Sequence, residues 1–231
     1  QDTFVRVSSK LVYEGTDLLS GSVEYGRKIN IEFVLKDQDS GKLLDSGYSY
    51  PVIVIRRQSD NFPVVEKKAN AIADKYTAKI KVNVAVENGE AILAVMIRKG
   101  NDLVPVLTSS DKPAESTITV TGDIGVRANV SEAKKYVVVD FETTYKGKKI
   151  GGAALKCNVV DSNGAVIAEL PLAQMKNGIS RLSWVSGDLK GQYKLQLYRL
   201  HSTEQKPFYE KTITVEHPIV SIIHQLPIEG I

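Results

Sequence analysis

The chain is predicted to be all-β, built as two immunoglobulin- or fibronectin-like β-sandwich domains in tandem. Three observations carry that prediction. Apolar and polar residues alternate with a period of two in run after run, as at 29–36 (INIEFVLK) and 136–143 (YVVVDFET), the pattern of a strand with one buried face. The runs are separated by turn-forming clusters, notably Asn88-Gly89 and Asp161-Ser162-Asn163-Gly164, where Asn-Gly supplies the positive φ angles of a tight hairpin. After the short polar stretch 121–125 (TGDIG) the strand set begins again. The chain therefore divides into residues 1–120, residues 121–217 and an apolar tail, 218–231.

In the first domain, residues 4–13 read as a strand, and Gly15, Gly21 and Gly26 then break the chain into loop. In 29–36, Ile29, Ile31, Phe33 and Leu35 face inward while Asn30, Glu32 and Lys36 face out. A turn at 37–41 (DQDSG) leads to 50–57, where Val52, Ile53, Val54 and Ile55 leave little alternation. Such a run predicts a central strand covered on both faces. Pro63-Val64-Val65 looks extended, whereas 66–74 (EKKANAIAD) is compatible with either a strand or a turn of helix. Residues 76–84 alternate cleanly, and Asn88-Gly89 is expected to turn them directly into 91–98. Short strands at 103–107 and 116–120 complete the set.

The second domain reads as seven strands: 126–130, 136–143, a long hairpin at 155–170, 179–185, 192–200 and 208–216. Their spacing is that of a sandwich. Within the hairpin, Leu155, Cys157 and Val159 share the inward face. The segment Asp188-Leu189-Lys190-Gly191-Gln192-Tyr193 has the form of a strand entry at which a tyrosine hydroxyl bonds back to the backbone and pins the corner. The first domain has no tyrosine at the comparable place.

Composition excludes several classes of function. An apolar share of 42% and a charged share of 25% are those of a packed globular protein. A net charge of +3 with both signs interspersed gives no electrostatic footprint for nucleic acid. The single cysteine, Cys157, makes no intramolecular disulfide, and its inward position argues for a core thiol over a nucleophile. No run of about 18 apolar residues is present. A start at Gln1 rather than Met is what a processed chain shows, and Asn129-Val130-Ser131 is a glycosylation acceptor triplet in a eukaryotic secretory lumen. Together these point to an extracellular or lumenal location.

No catalytic, cofactor or metal residue is predicted. His201, His217 and His224 fall in no nucleophile motif, and Gly-x-Ser-x-Gly is absent. Asp37-x-Asp39-x-Gly41 begins like a calcium loop, but its twelfth position is Tyr48, and the loop starting at Asp161 reaches Leu172. Turn chemistry accounts for both. The glycine-lysine stretch at 147–152 (GKKIGG) lacks phosphate-loop spacing and reads as a basic loop. Lys67, Lys68, Lys79 and Lys81 read as solvated strand faces. The tail is different: seven of the thirteen residues 219–231 are Ile, Val or Leu. Its own domain, a partner or the approach to a membrane must cover it, which marks Ile219, Val220, Ile222, Ile223, Leu226 and Ile228 as interaction residues.

The order of 31–43 (IEFVLKDQDSGKL), 117–130 (TITVTGDIGVRANV), 191–197 (GQYKLQL) and 212–215 (TITV) resembles the lumenal tandem β-sandwich region of the ribophorin II family. The resemblance is one of pattern, over most of the chain. It implies an accessory, non-catalytic subunit of oligosaccharyltransferase, and it transfers no functional residue. The expectation from the residues themselves is a non-catalytic extracellular or lumenal module, not an enzyme. Its partner is a protein or a second copy, not nucleic acid, and residues beyond Ile231 are one route to a membrane. A glycan-binding or glycan-processing domain is the alternative, with Trp184 and ten tyrosines available to line a site.

Overall fold

Every strand needs a partner for its backbone groups, and the ladders sort the chain into four sheets. The computed structural model describes residues 11–15, 17–37, 49–133, 135–151, 155–175, 178–202 and 206–216, and its elements are β-strands. The first eleven are β1 (Leu11–Gly15), β2 (Gly21–Glu24), β3 (Lys28–Asp37), β4 (Ser49–Arg57), β5 (Pro63–Lys68), β6 (Asn70–Ile72), β7 (Lys75–Lys81), β8 (Gly89–Lys99), β9 (Asp102–Pro105), β10 (Leu107–Thr108) and β11 (Glu115–Thr121). They form one sheet in the order β10-β1-β3-β7-β6 and a second in the order β2-β11-β8-β4-β5, with β9 added to β8. The first strand is split between the two: β1 pairs with β3, and β2 crosses over to run parallel to β11.

The remaining strands are β12 (Gly125–Ala133), β13 (Tyr136–Tyr145), β14 (Lys148–Lys149), β15 (Leu155–Val160), β16 (Val166–Pro171), β17 (Ala173–Gln174), β18 (Ile179–Val185), β19 (Gly191–Arg199) and β20 (Tyr209–Val215). One sheet is β12-β13-β18-β17, with β14 on β13, and the other is β16-β15-β19-β20. Among the described residues no ladder joins β1–β11 to β12–β20. Two tandem sandwiches are the result, as the alternation predicts.

Inward residues follow the period of two. Ile29, Ile31, Phe33 and Leu35 are buried on β3, Val137, Val139 and Phe141 on β13, and Leu155, Cys157 and Val159 on β15. Fully buried side chains of this size contribute about 1.5–3 kcal/mol each by leaving water, and no disulfide assists them. Tyr193 stands where the sequence places it. It is buried edge-on against Trp184, with ring centroids 5.1 Å apart, and its hydroxyl donates to the Lys190 carbonyl at 3.4 Å.

On β4, Val52, Ile53, Val54 and Ile55 are all fully buried, in two separate clusters on the two faces. Among the described residues no third layer covers the outer face. Long charged side chains roof it: Arg98 pairs with Glu66, Arg56 pairs with Glu115, and the Lys68 ammonium lies 4.4 Å from the Tyr50 ring centroid. Alkyl stems cover the apolar patch; the Lys68 side chain stays exposed, whereas Arg56 and Arg98 are only 14% and 18% exposed and have their charge met by Glu115 and Glu66.

Several expectations are corrected. Asn88-Gly89 is not a hairpin turn, because β7 belongs to the first sheet and β8 to the second; the segment between them crosses from sheet to sheet. The stretch 66–74, whose sequence is compatible with strand or helix, is strand at 66–68 and 70–72, and a left-handed Ala73 (φ 54) turns β6 back onto β7. The glycines at 15, 21 and 26 do not leave 15–26 as loop, since β1 runs to Gly15 and β2 begins at Gly21. In the β15–β16 hairpin only Gly164 takes positive φ (84); the Asp161 carboxylate accepts the amides of Asn163 and Ala165 and closes the turn. Residues 4–10, 38–48 and 217–231 lie outside the described residues. With them lie most of the first predicted strand, the calcium-like loop, His217, His224 and all six tail residues.

The corner bond of Tyr193 is long, so Tyr193→Phe is expected to cost no more than about 0.5–1 kcal/mol. Phe141→Ala, which leaves a cavity in the second core, is expected to cost about 3–5 kcal/mol. Urea unfolding midpoints give both values. A loss for Tyr193→Phe that matched Phe141→Ala would mean that the hydroxyl holds the corner and the ring packing does not.

Candidate functional site at the elbow between the sandwiches

The chemistry-bearing side chains collect where the two sandwiches meet. Arg199, the last residue of β19, is only 6% exposed. A buried cation is stable only when it is paired or hydrogen-bonded. Its Nε donates to the Val84 carbonyl at 2.8 Å, one terminal nitrogen donates to the Tyr25 hydroxyl at 3.5 Å, and the guanidinium lies 4.9 Å from the Phe208 ring centroid. Tyr25 in turn donates to the Val86 carbonyl at 2.7 Å and meets Tyr145 edge-on at 6.1 Å. One sandwich thus supplies the cation and the other supplies the acceptors.

Two flanks extend the seam. On the first, Arg57 forms a two-pronged contact with Asp60, at 3.0 and 2.7 Å, and also donates to the His201 carbonyl. Phe62 packs on the His201 ring at 4.8 Å between centroids, and Ser202 donates to Glu87 at 2.6 Å. Beside this flank lies a cleft of about 450 Å³ whose lining includes Arg57, Gln58, Glu87 and Glu90. On the second, Lys146 reaches Glu24 at 2.7 Å and Lys81 donates to the Lys149 carbonyl at 3.0 Å. Lys146 sits at φ 47 in the β13–β14 turn, a conformation that costs a non-glycine residue on the order of 1 kcal/mol. The connecting segment is held too: Asn88 donates to the Gly122 carbonyl at 3.1 Å.

The electrostatics follow the pairing. The Arg57 guanidinium and the Phe62 amide hold the Asp60 carboxyl below the usual aspartate range, and the Lys146 ammonium does the same for Glu24. Each of these carboxylates is already occupied by a cation. No group of three or more His, Cys, Asp or Glu residues that could hold a metal occurs among the described residues. In the basic loop, residues 147–151 form a hairpin arm that reaches the seam through Lys149, whose carbonyl accepts from Lys81 while its side chain pairs with Glu142.

The sequence-predicted positions lie elsewhere. Asn129 is exposed on the edge strand β12, where its backbone pairs with Asp140 and its side chain stands clear of the core. Cys157 is fully buried, and burial pushes its thiol up to about 12. Of the histidines only His201 is described, with its backbone and ring both in the elbow. Sequence reading missed Arg199 and Tyr25. Both look ordinary in a strand pattern, and the one signal available was a cation closing an otherwise apolar inward row, Tyr193-Leu195-Leu197-Arg199.

No family model matches the chain, and no curated protein does. Among solved structures, it is similar to trypsin-activated α2-macroglobulin of Escherichia coli, at 14% identity over 90% of this chain and 15% of that one, with a TM-score of 0.31. It is also similar to the adhesin InvE of Yersinia pseudotuberculosis, at 12% identity over 89% of this chain and 58% of that one, TM-score 0.33. A marsupial T cell receptor aligns at 11% identity over 90% of this chain and 64% of that one, TM-score 0.28. The chain spans less than two thirds of the length of each of these three structures.

Three outcomes are expected at the elbow. Arg199→Met removes the link to Val84 and Tyr25 and widens the distance distribution between spin labels placed on the two sandwiches; an unchanged distribution would show that the guanidinium does not hold the joint. Gly122→Ala places a methyl 2.4 Å from the Tyr145 ring at φ 128 and lowers the unfolding midpoint, whereas the same change at Gly164, with nothing within 4 Å, meets only backbone strain. Because the folded-state pKa of Asp60 is lowered, the Arg57–Asp60 contact is intact above the unfolded aspartate value and is lost as pH falls through the lower, folded one. An NMR titration of the Asp60 carboxyl is expected to have its midpoint below that of an ordinary aspartate.

Proposed function

We propose that the chain is a non-catalytic binding and structural module that works outside the cytosol and holds a protein partner at fixed geometry. One observation carries this reading. The first described strand starts at Leu11, paired with Asp37 at the outer pole of the first sandwich, and the last described strand ends at Val215, paired with Gly191 at the opposite pole of the second, with the pinned elbow between them. A chain that passes from pole to pole through a locked joint keeps two surfaces in register. The pairing of the elbow carboxylates with cations supports the same reading, because groups already neutralised by a neighbour are poorly placed to act as acid, base or metal ligand.

A lumenal accessory subunit of oligosaccharyltransferase is the narrower form of the proposal, supported by the order of the sequence segments that resemble the ribophorin II family. The exposure of Asn129 on an edge strand suits a glycosylated lumenal chain.

A flexible glycine-serine segment inserted after Gly122 tests the spacer reading. The expected outcome is retained folding of both sandwiches with reduced recovery of the proteins that cross-link to the unmodified full-length chain in its own compartment. Equal recovery, or a turnover activity that follows the chain through successive purification steps, would overturn it. Affinity purification of the tagged full-length protein is expected to bring the oligosaccharyltransferase catalytic subunit with it. Its absence removes the narrower form alone.

A further inference from the structure

Exposed apolar side chains are not scattered evenly over the described surface. Of the nine large hydrophobic residues that stand exposed, Tyr136, Val166, Val185 and Leu189 sit at the outer pole of the second sandwich, and Val130 and Ile167 lie in the half of the sandwich next to it. Tyr136 and Val185 are direct neighbours across β13 and β18, 52% and 64% exposed on the outer face of their sheet. Clusters of this kind mark a surface that something covers.

The chain leaves the second sandwich at the same place. The Glu216 amide donates to the Glu132 carboxylate at 3.2 Å, and the next residue along β12, Ala133, is the register partner of Tyr136. Glu132 shares its face of the sheet with the buried Val137, whereas Tyr136 and Val185 stand on the other face, so the chain has to round the edge strand β12 before it crosses two strand spacings, about 10 Å; about six extended residues span about 20 Å. The chain from Ile222 onward is therefore within reach of the Tyr136–Val185 pair, and seven of the thirteen residues 219–231 are Ile, Val or Leu. So short a tether also holds the segment at an effective concentration on the order of millimolar. A separate partner would have to compete with it.

We propose that residues 219–228 of this chain fold back over the outer pole of the second sandwich and cover the surface around Tyr136 and Val185, with Ile222 and Ile223 among the residues in contact. The apolar tail and the apolar pole are then two halves of one small core, and the tail is not free to serve as a partner surface while it is docked.

A benzophenone side chain placed at Tyr136 tests this in the full chain at low concentration. Irradiation is expected to give cross-links within one chain to residues 219–228, mapped by mass spectrometry. The double substitution Ile222→Glu and Ile223→Glu is expected to reduce their yield by at least about tenfold, because burial of two such side chains is lost, and to raise binding of a hydrophobic dye. Cross-links that join two chains would assign the pole to a second copy and overturn the proposal. Absence of tail cross-links, or a yield unaffected by the two glutamates, would also overturn it. Circular dichroism of each variant separates a failure to dock from a failure to fold.

Discussion

The geometry of this protein depends on one buried guanidinium. Arg199 closes an inward row of apolar residues on β19 and would be costly in that place without partners. Its acceptors come from the other sandwich, at Val84 and Tyr25, so the charge is satisfied only when the two sandwiches meet in one orientation. The buried hydrophobic residues of both halves form one continuous cluster, which includes Tyr25, Val82, Val84 and Ile150. The seam resembles the interior of a domain more than a wet contact between two independent ones.

Electrostatics plays a directional part elsewhere and contributes little to stability. The ion pairs that roof β4 and flank the elbow are wholly or partly solvated, and pairs of that kind are worth about 0–1 kcal/mol each. What they do is place alkyl stems over an apolar face that no described sheet or helix covers, and choose which loops lie against each other. Stability comes from the two packed interiors, with Phe33 and Leu35 in one and Phe141, Leu182 and Leu195 in the other.

The sheet edges are treated differently in the two sandwiches. β5 ends its sheet with Lys67 and Lys68, charges that discourage another strand from pairing there. β16 ends its own sheet with Val166 and Ile167 exposed, at the pole that also presents Tyr136 and Val185. The first sandwich also exposes single apolar residues, Ile72 on the edge strand β6 and Val104 on β9, but the second gathers more of them towards one pole.

Period-two alternation marks the long strands, their inward faces and the buried Cys157, and the turn segment before Tyr193 marks its corner, because each depends on residues within one strand or the turn beside it; the short strands β2, β6, β14 and β17 hold too few residues to show a period. β4 was legible for the same reason, although what covers its outer face was not: Arg56, Arg98 and Lys68 look like any solvated cations until their neighbours are known. Which strand pairs with which could not be read. Asn88-Gly89 has the local chemistry of a hairpin, yet the chain there crosses between sheets, because pairing is decided by contacts between residues far apart in sequence. The elbow lay beyond sequence reading altogether. Arg199 meets Val84 and Tyr25 across 115 and 174 positions of sequence, and only the folded chain brings so distant a cation and its acceptors together.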